Sequence, residues 1–310
     1  MMIKSFKELA ERAQALPEKT TIALVCAHDE HSLEGISNAR KDGIANGILI
    51  GNVEKIKEIL TGLGDDPANY ELIECEDKVE GCAIAARLVN EGKAGVIMKG
   101  KMETSDIMRG LLKSENNLRT GKSMSVCGIY ECPGYHKIFA VSDQGLNVYP
   151  DLEGKKSIIQ NAVELLHALG HECPKVGVLC AVEKVNPKMK ETVEADELKQ
   201  MNARGEIEGC IVEGPISFDL ATEPDSAKIK GYESPVAGDA DILIAPDLIA
   251  GNVLVKCLTG MAGATTAGLV LGAKVPAVTI SRSATASDKY YSIAMACAIA
   301  PYFKEKYAAN

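Results

Sequence analysis

No tryptophan occurs in this chain, and aromatic residues make up only 4% of it. Any core must therefore be aliphatic, and with 46% apolar residues there is enough material to fill a large one. Cores of that kind suit parallel sheets covered by helices on both faces. A basic surplus is also missing: 34 Lys and Arg stand against 43 Asp and Glu, a net charge of −9, which argues against a nucleic-acid binder. The ten cysteines include no C-x-x-C pair, so neither a zinc site nor a disulfide framework is indicated. No apolar run reaches membrane-spanning length. The N-terminal MMIKSFKELAERAQAL lacks the apolar core of a signal peptide and carries charges among an amphipathic spacing of Ile3, Phe6, Leu9, Ala13 and Leu16. The expectation is a reduced, cytoplasmic protein with no membrane segment.

What is present is alternation. The 310 residues exceed what one core usually fills, so two domains are expected. Apolar runs at 21–27, 47–51, 70–74 and 94–100 are separated by helical patterns at 30–42, 53–60 and 79–90. That rhythm is the pattern of a parallel α/β sheet. It breaks after Lys122, where 123–149 reads as two antiparallel strands around Cys132-Pro133-Gly134. It resumes with helices at 155–169, 188–203 and 251–261 and strands at 176–182 and 241–245, and closes with a strand at 275–280 and a helix at 287–300. The reading is a discontinuous first α/β domain, 1–123 plus 274–310, with a second α/β domain, 124–273, inserted in it. Each is expected to hold a largely parallel sheet covered by helices, with the active-site cleft between them.

Several motifs tempt and fail. NLRTGKS at 117–123 lacks the glycine a phosphate-binding P-loop needs, since Asn116 stands there, and it precedes a strand instead of following one. No G-x-G-x-x-G follows a strand, so a dinucleotide site has little support. His28 with His31, and His167 with His171, have no acidic partner to complete a metal-ligand set and read as surface or helix-end histidines.

Three stretches share one shape, a strand feeding a turn and a helix. KGKMETSDIMRGLL begins at the carboxyl end of a strand, where open α/β sheets bind ligands, and carries Lys99 and Lys101 there. Thr104, Ser105 and Asp106 can cap the following helix, or its start can hold an anion, with Arg109 curling back toward it. PDLIAGNVLVK places Gly251 as a turn and Asn252 as a cap or a ligand contact. In SRSATASDK, the Thr285-x-x-Asp288 spacing matches a capping box. Yet Ser281 and Arg282 stand at a strand's carboxyl end like Lys99, and arginine's planar fork suits phosphate.

Taken together, KGKMETSDIMRGLL, LRTGKSMS, CAVEKVNPKM, EGPISFDLA, APDLIAGNVLVK and SRSATASDK resemble the phosphate acetyl/butyryltransferase family. They stand in the family's order and span nearly the whole chain. The Asn186-Pro187-Lys188-Met189 segment is most similar to the butyryl branch. The resemblance implies an enzyme that converts a short-chain acyl-CoA, butyryl-CoA for preference, plus phosphate to acyl phosphate plus CoA. Acetyl-CoA is the alternative acyl donor. It implies no bound cofactor, coenzyme A as a co-substrate, and a homodimer or higher homo-oligomer. It assigns catalysis to Ser281, Arg282 and Asp288, and phosphate or substrate binding to Arg109, Thr104, Gly251 and Asn252. Lys99 stands where the acetyl branch often has serine, and a lysine there remains compatible with an anion.

Direct transfer is the expected route, with Asp288 taking the thiol proton. The competing route, an acyl-cysteine, finds no histidine placed by sequence as a base. Cys26, Cys180 and Cys297 read as core residues, and Cys127 and Cys132 as candidates for exposure. A metal- and nicotinamide-dependent decarboxylating dehydrogenase with a similar outline, and a catalytically silent acyl-CoA binder, are the readings from other classes.

Overall fold

The computed structural model describes residues 2–279 and 284–307. It divides into two compact units, one from Phe6–Gly121 together with the chain from Ala267 onward, the other from Lys122–Thr266 with the short segment ahead of Phe6. The first unit opens with α1 (Phe6–Gln14), β1 (Thr20–Val25), α2 (Glu30–Lys41), β2 (Ala45–Gly51) and α3 (Val53–Gly62). It continues through β3 (Glu71–Glu74), α4 (Lys78–Asn90), β4 (Val96–Lys99) and α5 (Thr104–Leu111). The second unit holds β5 (Ser125–Glu131), β6 (Phe139–Ser142), α6 (Leu152–Ala168), β7 (Lys175–Leu179), α7 (Lys190–Ala203) and β8 (Ile211–Ile216). It ends with α8 (Phe218–Thr222), α9 (Pro224–Lys230), β9 (Ile242–Ile244) and α10 (Leu248–Gly260). The chain then returns through β10 (Thr265–Leu271), β11 (Ala277–Val278) and α11 (Ala286–Tyr307).

Both units are α/β. In the first, the strand order is β3-β2-β1-β4-β11-β10, parallel throughout except for the β10–β11 pair. In the second it is β5-β6-β9-β7-β8, antiparallel only between β5 and β6. The near-continuous apolar strands follow from burial on both faces: the last four residues of β1 and all four of β6 are buried. The cores are aliphatic, with Leu24, Leu49, Ile50 and Ile97 among the fully buried side chains of the first unit.

Helix starts follow local capping. Asp29, Asn52, Asp77 and Asp151 each accept a backbone N–H at the head of α2, α3, α4 and α6. Two ends differ from expectation. β11 spans Ala277–Val278 of the expected 275–280; Pro276 ahead of it has no N–H to give the ladder, and Ile280 lies outside the described residues. α11 runs through Pro301 to Tyr307 where the sequence suggested a stop at 300. The proline deprives the Cys297 carbonyl of its helical donor, and the Thr20 hydroxyl donates to that oxygen instead, at 3.3 Å.

One buried carboxylate anchors the edge of the first unit. Asp65 is 6% exposed and accepts from Tyr70 (2.6 Å), Ser37 (2.7 Å), Arg40 (2.7 Å) and Asn69 (3.2 Å). Burial alone would raise its pKa, but these hydrogen bonds outweigh burial and hold it well below the usual carboxylate range. A carboxyl depressed in the folded state stabilises the fold above its unfolded pKa of about 3.9, and that contribution is lost as pH falls below it. Asp65→Asn should therefore lower the unfolding free energy by about 3 kcal/mol at pH 7. The gap to the parent protein should narrow as urea titrations are repeated below about pH 4. A gap that does not change with pH would remove the charge from this account.

Candidate functional site

The loops at the carboxyl ends of β1 and β4 are locked together by backbone. The Gly100 amide donates to Val25 O at 2.8 Å, and the Lys101 amide to Cys26 O at 2.9 Å. A Cβ on Gly100 would stand 2.2 Å from Cys26 O, so no other residue fits. Met102, 2% exposed, anchors the loop, and its carbonyl accepts from Lys99 Nζ at 3.0 Å. Lys99 is thus half-buried and turned onto its own loop, while Lys101 is exposed.

α5 leaves this loop with Glu103 at its N-cap and no side-chain cap bond. The expected capping by Thr104, Ser105 or Asp106 is therefore not what starts the helix. Asp106 instead pairs with Lys78 at 3.3 Å and with Arg109 at 3.6 Å. The Arg109 side chain is 76% exposed, lies beside Asp106 one turn back, and so reaches solvent. Thr104 is half-buried in the first turn. Gly110 seats the helix on α4, where a Cβ would come 2.6 Å from Cys82 Sγ. The positive character of these loops registers on His28, whose pKa is lowered by burial first and then by Lys101 and Lys55, despite Glu76 and Asp29.

β11 pairs with β4, with Val278 opposite Met98, the residue before Lys99. Ser281 and Arg282 lie outside the described residues. Asp288 sits in the first turn of α11, half-buried. The capping box read from the sequence is formed reciprocally: Asp288 N–H donates to Thr285 Oγ1 at 3.1 Å, and Thr285 N–H donates to Asp288 Oδ2 at 3.1 Å. The other carboxylate oxygen, Oδ1, has no hydrogen bond among the described residues. The next turn is tied down by Ser292, whose hydroxyl donates to Asp288 O at 2.7 Å and accepts from Gly268 N at 3.0 Å.

In the second unit the cap of α10 is Asp247, which accepts from Ala250 N at 2.8 Å. Gly251 and Asn252 therefore belong to the first turns of the helix, not to the turn ahead of it, and Asn252 is not the cap. A Cβ on Gly251 would meet Asp143 O at 2.2 Å. Asn252 Nδ2 donates to Gln144 O at 3.3 Å.

The residue that orders this region escaped the sequence reading. Asp143, 2% exposed, accepts backbone N–H bonds from Val126 (3.1 Å), Gly145 (3.0 Å), Leu146 (3.3 Å) and Asn147 (2.9 Å). Its signal was Asp followed closely by Gly and Asn, the signature of a side chain bonding its own turn.

The titratable residues outside these loops fall into place. His171 stands just past the end of α6, one of the two settings expected for it, and is buried at 7% exposure; burial lowers its pKa. Cys127 is fully buried in β5, not exposed, and burial pushes its thiol up to about 12. Cys132 is half-exposed. No group of three or more His, Cys, Asp or Glu placed to hold a metal ion occurs among the described residues. No helix among them is long and apolar enough to cross a membrane.

Comparison with known proteins bears on what such loops do. A family model described as "Phosphate acetyl/butaryl transferase" matches residues 77–297. The phosphate butyryltransferase of Clostridium acetobutylicum is 39% identical over 300 residues, covering 96% of this chain and 99% of its own. The phosphate acetyltransferase of Thermotoga maritima is 39% identical over 294 residues, covering 95% and 99%. Among solved structures, a branched-chain phosphotransacylase from Enterococcus faecalis superposes with a TM-score of 0.80 at 30% identity, covering 91% of this chain and 99% of that one.

The Gly100 approach can be tested against a glycine under no such constraint. Gly100→Ala should destabilise the chain by about 1–3 kcal/mol, as overpacking does. Gly62→Ala, at an exposed helix end with nothing within 4 Å of its added Cβ, should be neutral or stabilising by about 0.5 kcal/mol. Equal thermal midpoints for the two variants would contradict the steric argument.

Proposed function

Because this chain belongs to the phosphate acetyl/butyryl transferase family, we propose that it is a phosphate acyltransferase, exchanging acyl-CoA and phosphate for acyl phosphate and CoA. The observation that carries the reading is a relationship spanning 96% of this chain and 99% of a phosphate butyryltransferase. Coenzyme A acts as co-substrate, and no resident cofactor is required. The acyl group is short, with butyryl preferred on the Asn186–Met189 segment, although relatives named for acetyl and for butyryl are equally similar at 39%. The decarboxylating-dehydrogenase alternative is not favoured, since relatives covering nearly the whole chain carry acyltransferase names. We also expect a homodimer or larger homo-oligomer in the cytoplasm.

In the mechanism we assign, the thiolate of CoA attacks the carbonyl of the acyl phosphate, and phosphate leaves. Asp288 receives the thiol proton on Oδ1, while its other oxygen stays on the Thr285 amide and fixes the carboxylate's direction. Arg109 and Arg282 hold the phosphate and stabilise its growing charge, each contributing a few kcal/mol. Ser281 donates to the developing oxyanion or phosphate. Thr104 and Lys99 border the phosphate on the same strand-end loops, and Gly251 and Asn252 are assigned to substrate binding. The proton transfer has a mismatch to overcome: free aspartate near ~3.9 and free thiol near ~8.5 differ by over four units. Two guanidinium groups narrow it by favouring the thiolate, which is the nucleophile.

The decisive assay is thiol release from a panel of acyl-CoAs, with and without phosphate. Phosphate-dependent release is expected, greatest for one short chain. No release with any acyl-CoA would overturn the reading. Within an active enzyme, Asp288→Asn should cut kcat by about 10²–10⁴ with little change in KM, the size of a lost general base. Arg282→Lys should raise KM for phosphate, because charge is kept but the fork is lost. Full activity in Asp288→Asn would remove it from the base role.

A further inference from the structure

The first unit has a second opening at the other end of its sheet. Thr20 opens β1, and Gly95 and Val275 stand just ahead of its parallel neighbours β4 and β11; at this amino end of the three strands they line a cavity of about 810 Å³. That volume lies in the range of small-molecule sites, roughly 300–1,000 Å³. The floor is apolar, built from Val89 at the end of α4, Ala94 in the turn between α4 and β4, and Ala300 and Phe303 on α11. The wall is rigid. Pro301 lines it, and the carbonyl that Pro301 leaves without a helical donor is held by Thr20, which lines it too.

The rim is cationic in a chain whose net charge is −9. Lys19, Lys93, Lys274 and Lys304 line the cavity, against one carboxylate, Glu18. Their settings differ. Lys19 is spent on the carbonyls of Gln14 and Leu16 at the end of α1. Lys93 pairs with Glu91 at 2.9 Å, and Lys274 reaches Asn117 at 3.4 Å. Lys304 is exposed and has no hydrogen bond or ion pair among the described residues. An apolar floor beneath a positive rim rejects cations and leaves a purely polar anion with nothing to cover the floor. It suits a molecule with both parts.

We propose that this cavity is a binding site for a small amphipathic anion, a carboxylate or phosphate head on an aliphatic or aromatic body. The head sits among Lys93, Lys274 and Lys304, and the body lies over Val89, Ala94, Ala300 and Phe303. The site is separate from the strand-end loops assigned to phosphate, because it uses the opposite ends of the same strands. It does not rest on the acyltransferase reading.

Octanoate is a suitable probe, titrated calorimetrically into the full-length chain. Saturable binding is expected, weakening as salt rises. Octanol and inorganic phosphate, each with half of the chemistry, should bind at least about tenfold more weakly. The exposed pair Lys93→Glu/Lys304→Glu should weaken octanoate by about tenfold and leave phosphate-dependent thiol release unchanged. Val89→Trp, which narrows the floor without touching charge, should weaken it independently, whereas Asp288→Asn should not. Absence of saturable octanoate binding, equal binding of octanol, or full affinity in the two cavity variants overturns the proposal. Octanoate affinity lost only in Asp288→Asn would place the ligand in the transfer site and overturn it as well.

Discussion

The first unit's strand-end loops depend on one approach of backbone to backbone that leaves room for a hydrogen and nothing larger. With the Gly100 amide 2.8 Å from Val25 O, the chain leaving β4 must fold over the end of β1. Cys26, which supplies the next carbonyl, adopts φ 55°, a left-handed conformation costing a non-glycine residue roughly 1–2 kcal/mol. It persists because the Lys101 amide and the neighbouring Gly100 contact over-determine it. Everything downstream is then geometry: Met102 is buried, α5 is launched, and Gly110 lets it lie flat on α4 against Cys82. The position of Arg109 is set by two glycines, neither of which has a side chain to offer a ligand.

The second unit reaches the same end by a polar route. Asp143 is a charge removed from water, which is costly unless donors surround it. Four backbone N–H groups and the Asn147 amide do so, and the loop they belong to is thereby fixed. The loop's carbonyls then face α10: Asp143 O meets Gly251, and Gln144 O takes the Asn252 amide. Such a carboxylate is spent on structure, since its lone pairs are filled, and it serves by holding others. Asp288 is the contrast, with one oxygen spent on a cap and the other without a hydrogen bond among the described residues.

The readable parts of this architecture were those in which local chemistry and burial agree. Fully apolar strands such as TTIALV, helices opened by Asp29 or Asn52, and the Thr285–Asp288 box could be read because the residue pattern and its cause lie within a few positions. The misreadings came where a distant partner intervened. β8 was not among the expected strands; Pro215 stands inside IVEGPI, and at the end of the strand order a missing N–H costs no ladder bond. β10 was not among the expected strands either; it opens on small residues, Thr265-Thr266-Ala267-Gly268, and the Gly268 amide donates to the Ser292 hydroxyl on α11. α11 outlasts Pro301 because Thr20, far away in sequence, repairs the broken bond. The candidate site residues were readable only as residue types at strand ends, while the contacts that orient Lys99 onto Met102 and Arg109 beside Asp106 are not visible in a linear string.

The cysteines bear on which route an acyl transfer takes. A covalent acyl-enzyme needs a thiolate, and therefore a thiol whose pKa is lowered or a histidine poised to deprotonate it. Burial acts in the opposite direction on Cys26, Cys75, Cys82, Cys127, Cys180, Cys210 and Cys297, and pushes Cys82, Cys210 and Cys297 up to about 12. Cys26 lies nearest in sequence to the strand-end loop, and Lys78 lowers it by less than burial raises it. Among the described residues no histidine is hydrogen-bonded to a cysteine; the bonded rings of His28, His136 and His167 go to Asn52, Asp239 and Gly209. Each of these seven thiols thus starts with a larger proton-transfer barrier than the substrate's own thiol would meet between cationic side chains. The cheaper nucleophile is the one that arrives with coenzyme A, and a site that needs only to hold phosphate and accept one proton can be built from loops whose shape glycine and a helix cap already enforce.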